Sequence, residues 1–121
     1  MSKKLIIFEM ANNHGGEIEH GKLIIDKFSP FIKDFSEFDF AFKFQMRYIP
    51  TFIHPDYQSR GDIKYVKRFK ETRLTLGQYA KLKEYAEGWG FKTICTPFDE
   101  TSVVDVEYLK YDMIKVASCS F

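Results

Sequence analysis

The chain has no long apolar run. No segment approaches the ~20 consecutive apolar residues a membrane-spanning helix needs. Only Leu5-Ile6-Ile7-Phe8 separates the basic start from Glu9, too little for the core of a signal peptide. Net charge is also nearly absent: 18 Lys and Arg against 17 Asp and Glu leave +1. That excludes a global field drawing nucleic acid or an anionic membrane, so any anion site must be local. Cysteine is scarce. Cys95 and Cys119 lack metal-site spacing and read as small buried hydrophobes in a reducing compartment. The three histidines, His14, His20 and His54, show no paired ligand spacing. A glycine-rich phosphate loop after the first strand is missing too, which argues against an open flavodoxin-like sheet. What the chain does have is core material for one domain over 1–121. Its residues are 45% hydrophobic and 17% aromatic, with 13 Phe among them.

Periodicity predicts parallel βαβ units. A first strand over 4–9 precedes a helical pattern over 17–35, where Ile18, Ile25, Phe28, Ile32 and Phe35 recur at helical spacing. Pro30 should kink or split that helix. A second strand follows over 39–45. The connection from Gln45 to Leu74 contains Pro50, Pro55 and Gly61, and loops of this length inside compact domains are functional or disordered. Within it, 63–69 predicts a short helix. The mixture Lys64-Tyr65-Val66-Lys67-Arg68-Phe69-Lys70 reads as an amphipathic, solvated helix rather than a nucleic-acid surface, because the net charge is near zero. Thr75 and Gln78 form a capping-box pattern opening a helix with Leu76, Tyr79, Leu82, Ala86 and Trp89 on one face, and Gly90 ends it. A third strand spans 91–96. Asp99 caps a third helix facing inward with Val103 and Val106, and a fourth strand covers 112–118. Strands alternating with helices imply a parallel sheet with right-handed crossovers.

Chemistry-bearing residues gather where these strands end. The first strand closes on Glu9, the second on Lys43 and Gln45, the third on Thr96, and the fourth on Lys115 and Ser118. In parallel α/β folds, sites form at the carboxyl ends of strands. Lys and Glu are rarely buried without a partner. Side chains alternate along a strand, so Lys43 and Gln45 point the same way, as do Lys115 and Ala117. Inward lysines suit the mouth of a closed barrel better than a sheet covered on both faces. Four strands cannot close an eight-stranded barrel, so the chain reads as the first half of a TIM (β/α)8 barrel, with about four strands and three helices. Simpler roles are available to each group: the lysines could snorkel to water, Glu9 could pair with one of them, and His14 could fix its own loop.

The segment Glu9-Met10-Ala11-Asn12-Asn13-His14-Gly15-Gly16 resembles the opening of the sialic acid synthase family. Lys43-Phe44-Gln45, Thr96-Pro97-Phe98-Asp99 and Lys115-Val116-Ala117-Ser118 resemble that family's motifs on the second, third and fourth strands. Together the four cover nearly the whole chain, in order. The resemblance implies a cytoplasmic transferase of carbohydrate biosynthesis built on a (β/α)8 barrel. Such an enzyme condenses phosphoenolpyruvate with an N-acetylmannosamine-like sugar aldehyde to give a nonulosonic acid and phosphate. It also implies a divalent metal, Mn or Mg, whose ligands come from later strands, and a homodimer for full-length members. Carried over residue by residue, Lys43, Lys115, Thr96 and Ser118 match phosphoenolpyruvate-binding positions. Glu9 matches the first-strand glutamate, a proton handler or orienter of water. Gln45 supports the site, while Asn12, Asn13 and His14 could shape the sugar side. One departure stands out: the fourth motif commonly continues Ser-Gly-Glu, and here Ser120 occupies the carboxylate's place, which puts a different acceptor in view. The isolated chain is expected to be inactive. The alternative is a non-catalytic half-barrel that binds a phosphate or carboxylate ligand and self-associates over its free strand edges.

Overall fold

A computed structural model describes residues 3–48 and 64–117, apart from the side chains at 64, 65, 68 and 69. Four strands form one parallel sheet in the order β1-β2-β3-β4. They are β1 (Lys4–Ala11), β2 (Phe38–Met46), β3 (Lys92–Pro97) and β4 (Met113–Ile114). Helices fill the crossovers: α1 (Ile18–Phe28), α2 (Pro30–Asp34), α3 (Lys64–Glu71), α4 (Leu76–Trp89) and α5 (Glu100–Leu109). Sequential strands are neighbours throughout, as in a barrel wall and unlike a doubly wound sheet, whose order reverses at a switch point.

Alternation along the strands sorts the two faces. Ile6, Phe8 and Met10 of β1, Phe40, Phe42, Phe44 and Met46 of β2, and Cys95 of β3 join Ile25, Leu82, Ala86 and Val106 of the helices in one core. Phenylalanines dominate this core. Phe8 lies 4.6–6.3 Å, centroid to centroid, from Phe28, Phe31, Phe40, Phe42 and Phe91, and such pairs add about 0.5–1.5 kcal/mol beyond burial. The other face carries Leu5, Ile7 and Glu9, then Asp39, Ala41, Lys43 and Gln45, then Lys92, Ile94 and Thr96. Among the described residues no helix covers it, and Leu5 and Ile7 remain 36% and 47% exposed. Apolar residues below a polar ring are what the interior of half a barrel presents when the opposite wall is missing.

Local chemistry explains the element ends. Thr75 Oγ1 accepts from the Gln78 N–H (3.2 Å) and Gln78 Oε1 from the Thr75 N–H (2.9 Å), completing the expected capping box. Gly90, at φ +98°, stops α4. Pro30 splits the long helical pattern into α1 and α2 rather than bending one helix. Asp99 Oδ1 caps α5 through the Ser102 N–H at 2.7 Å.

Several expectations need correction. The fourth strand, expected over 112–118, is only two residues long among the described residues: β4 is there an edge, paired with β3, and the ladder ends when the Lys115 N–H has donated to the Cys95 carbonyl. On α4, Leu76 and Trp89 lie exposed at the ends of the predicted face, while Lys83 is buried in their stead, its ammonium 2.8 Å from Glu87. Val103 of α5 and Phe35 beyond α2 are likewise exposed, and Ser102 takes an inward place on α5. The helix predicted over 63–69 corresponds to α3, and with the 17–35 pattern split in two at Pro30 the three helices expected become five among the described residues.

Candidate functional site

The parallel register sets the polar groups side by side. Glu9 pairs with Lys43 across β1 and β2, and Gln45 with Thr96 across β2 and β3. Glu9, Lys43, Gln45 and Thr96 therefore share one face at the carboxyl end of the sheet, and Lys115 stands just past β4, its N–H bonded to the Cys95 carbonyl.

The contacts within this group are specific. The Lys43 ammonium lies 2.7 Å from Glu9 Oε2, with the lysine side chain 17% and the glutamate 44% exposed. The simpler role considered for Glu9, pairing with a lysine, is thus what the geometry displays, and a pair this accessible can exchange for a ligand at modest cost. Gln45 Oε1 accepts from Arg47 Nη1 at 3.0 Å, and the Arg47 guanidinium lies 4.0 Å over the Phe98 ring. Thr96 is buried; Lys115 is exposed. Ser118 and Ser120 lie outside the described residues, as does Cys119. Cys95 is a buried free thiol whose pKa burial pushes up to about 12, an inert small hydrophobe.

The loop after β1 lies at this end of the sheet. Three backbone bonds tighten it: Asn13 N–H to the Met10 carbonyl, Gly15 N–H to Asn12, and Glu17 N–H to His14. Asn13 is exposed, whereas His14 is withdrawn into the interior. Its Nδ1 accepts from the Gly16 N–H at 3.0 Å, and burial, helped by the charge of His20, lowers its pKa to about 4. That geometry matches loop fixing rather than presentation of the ring to a sugar. Gly16 is required here: at φ +79°, a Cβ would stand 2.4 Å from the Glu71 carbonyl.

Sequence reasoning missed two residues of this region. Arg47 continues the alternation of Lys43 and Gln45, a signal that was readable. Tyr79, taken for packing alone, also donates its hydroxyl to the Gln45 carbonyl at 2.7 Å. Asp99 has a second task as well: its Oδ2 accepts the Tyr48 N–H at 2.7 Å, holding the chain as it leaves β2.

A half-barrel of parallel βα units with an ion pair, an amide and a hydroxyl at its mouth defines the class. Within that class, the chain belongs to the NeuB family, whose model matches residues 38–121. It is 31% identical over 113 residues to an uncharacterised protein of Methanocaldococcus jannaschii, covering 93% of this chain and 30% of that protein. A solved structure described as spore coat polysaccharide biosynthesis protein E from Chromobacterium violaceum is 52% identical. It superposes with a TM-score of 0.91 over 98% of this chain and 35% of its own. An N-acetylneuraminic acid synthetase from Leptospira borgpetersenii, solved with citrate, shares the fold at 22% identity and TM-score 0.73, over 98% of this chain and 38% of its own. The chain thus spans about a third of the length of these relatives, at the N-terminal part of the synthase TIM barrel.

Proposed function

We propose that this chain is the N-terminal part of a synthase that condenses phosphoenolpyruvate with an N-acetylmannosamine-like sugar aldehyde. C3 of phosphoenolpyruvate attacks the aldehyde carbon, water adds at C2, and phosphate leaves, giving a nonulosonic acid. The observation supporting this reading is Lys43 with Glu9, Gln45 and Thr96 on one face at the strand ends, and Lys115 just past β4, in a chain of the NeuB family. Phosphoenolpyruvate carries a carboxylate and a phosphate, and two fixed cations with a hydroxyl donor answer that charge. Lys43 and Lys115 hold the anion and the charge that develops as the carbon–carbon bond forms. Glu9 keeps the Lys43 ammonium in place and handles a proton of the attacking water. Thr96 and Ser118 donate to the anion, Gln45 supports them, and Asn13 faces the sugar.

The described residues gather no group of three or more His, Cys, Asp or Glu able to hold a metal, so no step is routed through one. The Mn or Mg ion that the resemblance implies takes its ligands from elsewhere in the natural gene product, a cytoplasmic homodimer in this reading. Among the described residues no helix is long and apolar enough to cross a membrane.

Calorimetric titration of the natural gene product with phosphoenolpyruvate tests the proposal. Binding by the wild type and its loss in both Lys43→Ala and Lys115→Ala is the expected result. Equal binding by all three, or none by a folded wild type, rejects it. A second reading, a non-catalytic half-barrel that self-associates, draws on the exposed Leu5 and Ile7 of the uncovered face. Its sign is a dimer by sedimentation that dissociates on Ile7→Lys while phosphoenolpyruvate goes unbound.

A further inference from the structure

A continuous path of buried contacts leads from the loop after β1 to the end of β2. It begins at His14, whose ring is 1% exposed. Because Nδ1 accepts the Gly16 N–H, the proton of the neutral ring sits on Nε2, and Nε2 has no hydrogen-bond partner among the described residues. A loop that needed only the Gly16 bond could obtain it from an exposed Asn or Asp turn. Instead the chain buries a whole imidazole and leaves one donor without a partner among the described residues, which carries a cost. The ring is set edge-on to Tyr79, with centroids 6.4 Å apart and planes at 89°. Its Cβ flank is received by Gly21, where a side chain would also strike Leu82. Tyr79, itself buried, passes the position on through its hydroxyl to the Gln45 carbonyl. Gln45 sits between Lys43 and Arg47 at the mouth, opposite Thr96.

We propose that His14 and Tyr79 are a pair of positioning residues that seats the loop bearing Asn12 and Asn13 at a set height over the end of β2. Neither touches substrate. The pair holds the distance between two groups of the mouth that come from different elements, and a displacement of about 1 Å in such a distance can cost a hundredfold in rate. Its consequence for turnover rests on the synthase reading above; the coupling itself does not.

The experiment uses the natural gene product with His14→Asn, Tyr79→Phe and the double variant. Asn keeps an acceptor where Nδ1 lies but loses the ring that meets Tyr79, and Phe loses only the hydroxyl. Each single variant should lower kcat/KM for phosphate release by about tenfold or more, and the double variant should fall no further than the worse single, because one path is cut once or twice. Multiplicative losses, or single variants that lose thermal stability with KM and kcat unchanged, would overturn the pairing. If the gene product shows no phosphoenolpyruvate-dependent turnover at all, the synthase reading fails, and the pair is judged by amide resonances instead. His14→Asn must then shift the Gln45 amide and Tyr79→Phe that of Asn13. Silence at both positions refutes the coupling.

Discussion

Protonation of His14 should set the acid limit of folding. The ring is buried and neutral, with its pKa lowered from 6.5 to about 4 by desolvation first and by the charge of His20 second. In the unfolded chain it returns to the ordinary value. Above pH 6.5 neither state binds the proton and stability is at its fullest. As pH falls below 6.5, the unfolded chain takes up a proton that the folded ring refuses, so stability declines. Below about 4 the folded ring protonates as well and the decline ends. At about 1.4 kcal/mol per unit, a depression of this size is worth about 3 kcal/mol, most of it gone by about pH 4.5. Urea unfolding at a series of pH values measures it, with His14→Gln alongside, since carboxylate contributions are common to both proteins and cancel in the difference. Wild-type stability should fall relative to the variant by about 2–3 kcal/mol between pH 7.5 and 4.5. Parallel pH profiles for the two proteins would refute the reasoning, as would a His14 imidazole resonance titrating near the ordinary histidine value.

Three further outcomes follow from the packing. Phe42→Ala empties a site 1% exposed that touches the rings of Phe8, Phe28, Phe44 and Phe91, so urea unfolding should show a loss of about 3–5 kcal/mol; a loss below about 1 kcal/mol would mean that these rings do not pack as described. Gly16→Ala should cost clearly more than Gly15→Ala, although both sit at positive φ, because a Cβ at Gly16 meets the Glu71 carbonyl while one at Gly15 meets nothing; equal thermal shifts would place the α3–α4 junction away from this loop. Asp99→Ala removes both the α5 cap and the acceptor for Tyr48 and should cost about 1–2 kcal/mol by chemical denaturation, with Asp99→Asn retaining most of it; an unchanged midpoint in the alanine variant would refute the double role.

Much of the architecture could be read from residue order because it depends on short-range rules. Strand alternation separates Phe40, Phe42 and Phe44 from Lys43 and Gln45, and the structure keeps them on opposite faces. The Thr75–Gln78 box, the stop at Gly90, the break at Pro30 and the Asp99 cap are set within four residues of each other or of the element they bound, so the tertiary fold did not have to choose them. Parity also placed Glu9, Lys43 and Thr96 at one end of one face. The four motifs spread along the chain pointed to the family that the match over residues 38–121 shows.

Other features depend on what lies across space. Which lysine Glu9 pairs with needed the β1–β2 register. The true length of β4 depends on whether a fifth strand is present to pair with it. Trp89 and Leu76 obey helical spacing yet remain exposed, because α1 covers only part of α4 and Trp89 turns its indole N–H to Asp26 at 3.0 Å. His14 read from sequence as a fixer of its own loop or a shaper of the sugar side; its burial beside Gly21 and Tyr79, from two helices, needed the tertiary structure. Sequence by itself determined the elements, their faces and the end of the sheet where the chemistry gathers, since each follows from neighbours along the chain. Tertiary structure decided who touches whom at that end, because hydrogen bonds and burial are made between segments that the chain alone holds far apart.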